Sequence, residues 1–229
     1  MNGEGWAEPA WRAVLDASRA GPGTRVLDVG CGSGGFLAYC GRRGMIASGV
    51  DPDDDLVEVA SRGGLDVRAG EAEKLPWDDA TFGLATAFNA LQFAEDTDDA
   101  LAEMVRVTRP GGHVAVANWA ERALNDLDVI ERVLSGGSPR PDGDLRLAGG
   151  LRELLEDGGL TGVVEGLVDV PWEFADDESL VTGILQGEAP ELAVEVLAVV
   201  RPYRQKAGGY RLINRFRWAV GRRSPAVGR

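Results

Sequence analysis

The chain has 229 residues, 44% of them hydrophobic, and 24 Lys and Arg against 37 Asp and Glu give it a net charge of −13. That length supports a sizeable core without disulfide or structural-metal help, and no run approaches the roughly 20 apolar residues of a membrane span. The acidic body repels polyanions, which argues against nucleic acid, although residues 201–229 hold nine Lys and Arg and no Asp or Glu.

The segment Pro9 to Ala20 is expected to form an amphipathic helix. Glu4, Glu8, Arg12 and Asp16 stand where a signal peptide needs an apolar core, so a soluble cytoplasmic protein is expected. Arg25 to Val29 (RVLDV) is expected as a buried strand, Ser33 to Arg43 as the helix after it, and Met45 to Val50 as the second strand. Asp53 is placed to cap a helix running to Arg62. Leu65 to Ala69 and Phe82 to Phe88 are the third and fourth strands, and Thr97 to Val107 is a helix. Arg109-Pro110-Gly111-Gly112 is expected to stop that helix in a tight reversal into a fifth strand, His113 to Asn118. Strands alternating with helices predict a parallel sheet with crossover connections.

Beyond Trp119 the expectations are a helix at Leu124 to Leu134, a Gly/Pro-rich loop at Ser135 to Asp144 and a helix at Leu151 to Glu156. A strand at Val163 to Val170 and a helix from Glu188 to Tyr203 follow. In the last strand, Tyr210 to Val220, Leu212, Asn214, Phe216 and Trp218 alternate with Arg211, Ile213, Arg215 and Arg217. That period of two gives one buried and one mostly charged face.

The chemistry concentrates at Val26-Leu27-Asp28-Val29-Gly30-Cys31-Gly32-Ser33-Gly34-Gly35, where a buried strand turns into a helix. Gly30, Gly32 and Gly35 have G-x-G-x-x-G spacing, which lets backbone approach a ligand closely while the helix start offers unpaired amides. Asp51, at the end of the second strand and 19 residues past Gly32, suits ribose hydroxyls. Asp28 would repel a dinucleotide's pyrophosphate and attract a ligand that carries an ammonium group.

This segment resembles the first motif of class I S-adenosylmethionine-dependent methyltransferases. Gly70-Glu71-Ala72-Glu73-Lys74-Leu75-Pro76-Trp77 is similar to the G-D-A-x-x-L-P-F loop of the ubiquinone-biosynthesis-like type 11 branch, with Glu71 one methylene longer than the usual Asp. Residues 82–94, 101–118 and the carboxyl-terminal stretch are similar to further parts of small bacterial members. The resemblance implies a single 1–229 domain with an α/β, doubly wound, Rossmann-like three-layer fold. It implies a seven-stranded, mostly parallel sheet whose last strand is antiparallel, with the helix in 5–20 and segment 119–152 as active-site cover.

The resemblance further implies S-adenosyl-L-methionine as cofactor, S-adenosyl-L-homocysteine as product, and a small-molecule acceptor methylated on O, N or C. In the family the acid at the position of Glu71 faces the adenine amino group, and the backbone of the next residue, Ala72, serves the ring. The cofactor set is Asp28, Gly30, Cys31, Gly32, Gly34, Asp51, Pro52, Glu71, Ala72, Phe88, Asn89 and Gln92. A non-methylating cofactor-dependent enzyme and an inactive methyltransferase-like partner protein are the rival readings.

Simpler roles stand beside these. Asp28 and Asp51 can serve as caps, and the acidic runs at 51–55 and 95–99 fit helix starts better than a metal site. His113, the single histidine, reads as structural, and Cys31 and Cys40 as reduced thiols with no nucleophilic role. The N-P-P-Y clamp of nucleic-acid amino-methyltransferases is missing at Asn89-Ala90-Leu91-Gln92. Trp6, Trp11, Trp119, Trp172 and Tyr203 are candidate lining for a substrate cavity, and Glu121 or Glu173 candidate bases, with no catalytic residue assigned.

Overall fold

A computed structural model describes residues 5–138, 141–185, 187 and 189–225. The elements α1 (Glu8–Ser18), β1 (Arg25–Val29), α2 (Gly35–Arg42), β2 (Ile46–Asp51), α3 (Asp54–Arg62), β3 (Asp66–Ala69), β4 (Phe82–Phe88), α4 (Thr97–Val107) and β5 (Thr108–Trp119) form the first half. Then come α5 (Asp128–Leu134), α6 (Gly150–Asp157), β6 (Thr161–Phe174), α7 (Asp177–Leu185), α8 (Ala193–Val200) and β7 (Tyr210–Arg222). Strand order is β3-β2-β1-β4-β5-β7-β6, with β7 antiparallel to both neighbours and all other pairings parallel. The doubly wound sheet with its antiparallel last strand is therefore present.

Alternation along the strands divides the core in two. Leu27, Val29, Ala85, Ala87, Val114 and Val116 pack against Leu101, Met104 and Val107 of α4 and Leu151 and Leu155 of α6. On the opposite face Val26, Leu84, Ala115 and Val220 meet Trp11, Val14 and Leu15 of α1 and Phe36, Tyr39 and Cys40 of α2. The central strands are buried on both faces, which is why they read as near-continuous apolar runs.

Four expectations change. The Pro110-Gly111-Gly112 reversal lies inside β5, which starts at Thr108 directly after α4; the irregularity is absorbed as a register shift against β4 between Phe82 and Leu84. Gly111 has a positive φ of 78°, and Gly112 sits where a Cβ would press on the Gly83 and Arg109 carbonyls, so the two glycines carry the chain through this irregularity while it stays close to β4. The helix expected from Leu124 shortens to α5, preceded by a single 3₁₀ turn at Arg122–Leu124. The helix expected over Glu188 to Tyr203 divides into α8 and flanking 3₁₀ turns at Pro190–Leu192 and Arg201–Tyr203, since each proline removes a helical donor. Helix α7 was not anticipated: its run DESLVTGIL shows little amphipathic contrast. Pro139, Arg140 and Glu188 of the expected loop and helix lie outside the described residues.

The insertion between β6 and β7 forms its own apolar cluster. Leu180 and Leu185 of α7, Val196 and Val200 of α8 and Ile130 of α5 surround Phe174, Tyr210 and Leu212 at the far end of the β6–β7 ribbon. Tyr203 belongs here, away from the glycine loop.

Candidate active site

The site grows from the ends of β1 and β2. Past Val29 the chain enters a loop in which Gly30, Gly32 and Gly34 all have positive φ, a conformation costly to any residue with a Cβ. Gly30 and Cys31 donate their amides to the Val50 carbonyl at 2.8 and 3.0 Å, which presses the loop onto the end of β2. Gly34 is the N-cap of α2 and supplies no side-chain cap, so the first helical amides remain available to a ligand.

Asp51 ties the pieces together. Its Oδ2 accepts the Gly32 amide at 2.8 Å and its Oδ1 the Asp53 amide at 3.0 Å. Each oxygen keeps a second lone pair for a hydroxyl donor. Next to it the Asp53 side chain accepts from Asp55 and Leu56 N–H and caps α3, and Asp96 caps α4 in the same way through Asp98 and Asp99. Capping accounts for both acidic runs.

A cleft of about 350 Å³ opens at the carboxyl ends of β1, β2 and β4, within the size range of small-molecule sites. Of the expected set it gathers Gly30, Asp51, Pro52, Glu71, Ala72 and Asn89 in its wall. Asp53, Leu56, Glu73, Ala90, Leu91 and Phe93 are also among its lining residues. Phe93, 78% exposed, and Leu56 form an apolar rim. Neither position carries a local sequence signal: Leu56 comes from the first turn of α3 and Phe93 from the turn after β4, whose Ala90 packs against Gly30 of the glycine loop.

The remaining expected residues stand behind or beside the wall. Asp28 is buried, 3% exposed, and its Oδ1 accepts the Thr86 hydroxyl at 2.7 Å. Burial raises its carboxyl to about 8, with the neighbouring Asp51 charge adding to the rise and the Thr86 hydrogen bond opposing it. Cys31 is buried with its sulfur against the space a Gly49 Cβ would fill. Burial, then Asp28 and Asp51, lift its thiol far above the ordinary range, and burial pushes Cys40 up to about 12; neither is a poised nucleophile. Phe88 backs the site by packing on Phe36 with ring centroids 4.7 Å apart. Gln92 turns onto Asn89, donating to its carbonyl and its Oδ1 at 3.0 and 2.9 Å, while the Asn89 amide donates to Ala117 O at 2.7 Å.

A clamp that the sequence did not reveal holds the 70–78 loop. Arg106 on α4 donates to the carbonyls of Trp77 and Leu75 and to Glu103, whose carboxylate in turn accepts the Leu75 amide at 2.8 Å. The guanidinium holds the Glu103 carboxyl below its ordinary range despite partial burial. Arg106 reads as one more charge on a solvated helix, since its partners lie some 30 positions upstream.

Other candidates are placed elsewhere. Glu121 receives Arg217 at both oxygens, including contacts of 2.7 and 3.0 Å. Burial works to raise its carboxyl, but Arg217 and backbone donors prevail and lower it. Glu173 pairs with Arg211 on the surface. Neither carboxylate lines the cleft, and neither do 5–20 and 119–152. His113 sits at the amino-terminal part of β5 opposite Leu84 and Arg222, where burial and the cations Arg222 and Arg19 lower its pKa. Trp11 packs on Phe36 and Tyr39, whereas Trp6, Trp119 and Trp172 meet in one aromatic layer.

The arrangement suits a ligand with a cationic end and a ribose. Asp51, Asp53, Glu71 and Glu73 make the cleft wall acidic, a poor environment for a pyrophosphate. Comparison with known proteins agrees with that chemistry. Residues 27–116 match the family model of a methyltransferase domain. A demethylmenaquinone methyltransferase of Renibacterium salmoninarum is 28% identical over 185 residues, covering 76% of this chain and 77% of that one. A malonyl-[acyl-carrier protein] O-methyltransferase of Pectobacterium atrosepticum is 32% identical over 54% of this chain, and the match spans about half of that relative's length. In structure, the YcgJ protein of Bacillus subtilis aligns with a TM-score of 0.66 at 16% identity over 95% of this chain and 99% of its own, a likeness of fold.

Proposed function

We propose that the chain is a class I S-adenosylmethionine-dependent methyltransferase of the type 11 branch, and that it methylates O, N or C of a small-molecule acceptor. The observation that carries this reading is the acidic cleft of about 350 Å³ in which Asp51 is bound to the Gly32 amide. The donor set fits S-adenosylmethionine. Asp51 is placed to accept the ribose hydroxyls, Glu71 and the Ala72 backbone to hold the adenine, and the Gly30–Gly34 loop to meet the methionine moiety, with buried Asp28 supporting that loop from behind. Pro52, Leu56 and Phe93 supply apolar contact for the ring.

The bound cofactor supplies a methyl already activated by its sulfonium. The work left to the protein is alignment and exclusion of water, which can supply about 7 to 11 kcal/mol of a barrier. We assign the amino-terminal helix in 5–20 and residues 119–152, within a single domain spanning 1–229, to the acceptor side of the site as its cover. The relatives named for demethylmenaquinone and for malonyl carried by a protein support a small-molecule acceptor. The net charge of −13 disfavours a nucleic acid, and a cytoplasmic site of action completes the reading. Among the described residues no helix is long and apolar enough to cross a membrane.

A thermal-shift titration tests the premise. S-adenosylmethionine and S-adenosylhomocysteine at 100 times their dissociation constants should stabilise the fold by about 2.7 kcal/mol, with NAD as control. No shift with the sulfonium compound and its product, or an equal shift with NAD, overturns the reading. Product S-adenosylhomocysteine formed only with an acceptor present separates a methyltransferase from a non-methylating user of the same cofactor.

A further inference from the structure

The 70–78 loop runs between two anchors. At its start the Gly70 amide donates to the Asp51 carbonyl at 3.1 Å, which ties it to the end of β2. Further on it is fastened along α4. Glu73 Oε1 accepts the amide of Asp96, the N-cap of α4, at 3.2 Å, the role that a capping-box glutamate fills within its own helix. Glu103 accepts the Leu75 amide at 2.8 Å, and Arg106 donates to the Leu75 and Trp77 carbonyls at 3.1 and 2.9 Å. Positions 73, 75 and 77 are thus bound to one helix, and Glu71 and Ala72 bridge the two anchors in the cleft wall.

Glu71 itself is exposed, and among the described residues no hydrogen bond or ion pair holds its carboxylate. Its side chain has one more rotatable bond than an aspartate, and each free rotor costs entropy when a ligand fixes it. Where that carboxylate stands therefore depends on the backbone beneath it, and the clamp on α4 sets that backbone. The Arg106 guanidinium works as a planar fork. Nε and Nη2 donate to Glu103 at 2.6 and 2.7 Å, while Nη1 reaches Trp77 O and the Asp79 carboxylate at 2.9 and 2.8 Å. A lysine cannot make these bonds together.

The two residues of the clamp are partly buried, 31% exposed for Arg106 and 20% for Glu103, whereas Asp79 is 75% exposed. Neither Arg106 nor Glu103 lines the cleft. An effect of either on a bound ligand has to pass through the loop. The ribose and methionine ends of the cleft rest on other supports, since Asp51 and the glycine loop hold each other through the Gly32 amide at 2.8 Å.

Resting on the proposed methyl-transfer reading, in which Glu71 faces the adenine, we propose that Arg106 and Glu103 are positioning residues that give the site its selectivity for an aminopurine over an oxopurine. A carboxylate held in place accepts a hydrogen bond from an exocyclic amino group and repels the carbonyl oxygen that an oxopurine puts at the same position. Without the clamp, the Leu75 and Trp77 carbonyls lose their donor and the loop shifts to find another. Glu71 and Ala72 move with it, and the discrimination is lost while the contacts at Asp51 and the glycine loop remain.

The test is calorimetric titration of the full chain with S-adenosylhomocysteine and with S-inosylhomocysteine, in which a carbonyl replaces the purine amino group. The unaltered protein is expected to bind the adenosyl compound about tenfold tighter or more. Arg106→Met keeps the apolar stem and loses every donor. It is expected to bring the ratio below about threefold through loss of adenosyl affinity, with inosyl affinity within about twofold of the unaltered protein. Asp79→Asn changes only the exposed partner of Arg106 and is expected to keep the full ratio. Arg106→Lys and Glu103→Gln weaken the clamp without removing it, and each is expected to lower the ratio about threefold, which carries the test where urea unfolding shows that Arg106→Met does not fold. An unchanged ratio in the clamp variants, an equal loss of both affinities, or the same fall in Asp79→Asn overturns the positioning role, because a purely stabilising clamp moves both ligands together. A ratio near one in the unaltered protein overturns it as well. No binding of S-adenosylhomocysteine to the unaltered protein defeats the methyltransferase proposal, whereas binding with a ratio that the clamp variants leave intact defeats only the positioning role.

Discussion

The Asp51 carboxylate accepts the Gly32 amide at 2.8 Å, across 19 residues of chain. One side chain at the end of β2 thus fixes the glycine loop that follows β1, and a ligand reaching Asp51 meets a loop already held in place. Asp51→Asn replaces one acceptor oxygen by a donor that faces an N–H, so either the Gly32 or the Asp53 bond is lost. The expected outcome is at least a tenfold loss of S-adenosylhomocysteine affinity and about 1.5 to 3 kcal/mol of stability, read by calorimetry and urea unfolding. Unchanged affinity would remove Asp51 from the ribose role.

Asp28 makes stability depend on pH in a direction opposite to that of most carboxylates. Its folded-state pKa is raised to about 8, above the 3.8 of the unfolded chain, so the folded protein holds a proton that the unfolded chain has released. The favourable contribution is complete below pH ~4, declines as pH rises towards ~8, and is lost beyond it, at a slope of at most about 1.4 kcal/mol per pH unit. Asp28→Asn lacks this slope. Urea unfolding between pH 5 and 9 should show the variant gaining on the unaltered protein up to pH ~8 and the difference levelling off above; parallel pH profiles would contradict a buried, protonated Asp28.

Glu121 and Arg217 illustrate a different point. The pair lies outside the cleft and joins the segment after β5 to β7, with side chains only 22% and 20% exposed. Glu121→Gln leaves Arg217 in a partly buried site with a weaker partner, and the expected cost is about 1 to 2 kcal/mol. Since its carboxylate touches no cleft residue, methyl transfer by the variant is expected to keep its pH profile. A lost acidic limb in that profile, the fall in rate as a carboxylate takes up a proton, would mark Glu121 as a proton acceptor after all.

What the sequence made legible follows from the range of the interactions involved. β1 and β4 have the limits expected of them, because buried parallel strands are unbroken β-branched and apolar runs, and α4 does because Asp96 caps it locally. The glycine loop, Asp51 and Glu71 were visible as motifs. Arg106 and Glu103, the clamp on the 70–78 loop, were not, since their partners lie on a different element. Phe93, Leu56 and Ala90 enter the cleft wall for the same reason. The Pro110-Gly111-Gly112 signal was read as a turn because Pro and Gly usually punctuate; here β4 accepts the irregularity as a register shift.

Gly30 tests whether the loop's shape comes from backbone conformation or from packing, because both act there. Its φ is +72°, and a Cβ added to it would overlap the Ala90 Cβ. Gly30→Ala therefore meets two costs: about 1 to 2 kcal/mol for a left-handed alanine and roughly 1 to 3 kcal/mol for the overlap. Ala90→Gly removes only the second. The double variant should recover part of the stability lost by Gly30→Ala, leaving the conformational cost, with a coupling above ~0.5 kcal/mol between the two positions. Additive effects in urea unfolding would mean that the turn after β4 does not bear on the glycine loop, and the cleft wall shared by Gly30 and Ala90 would have to be rebuilt. Full recovery would mean that the positive φ is not required, and the loop would then accept a side chain at the position where a ligand's closest backbone approach is expected.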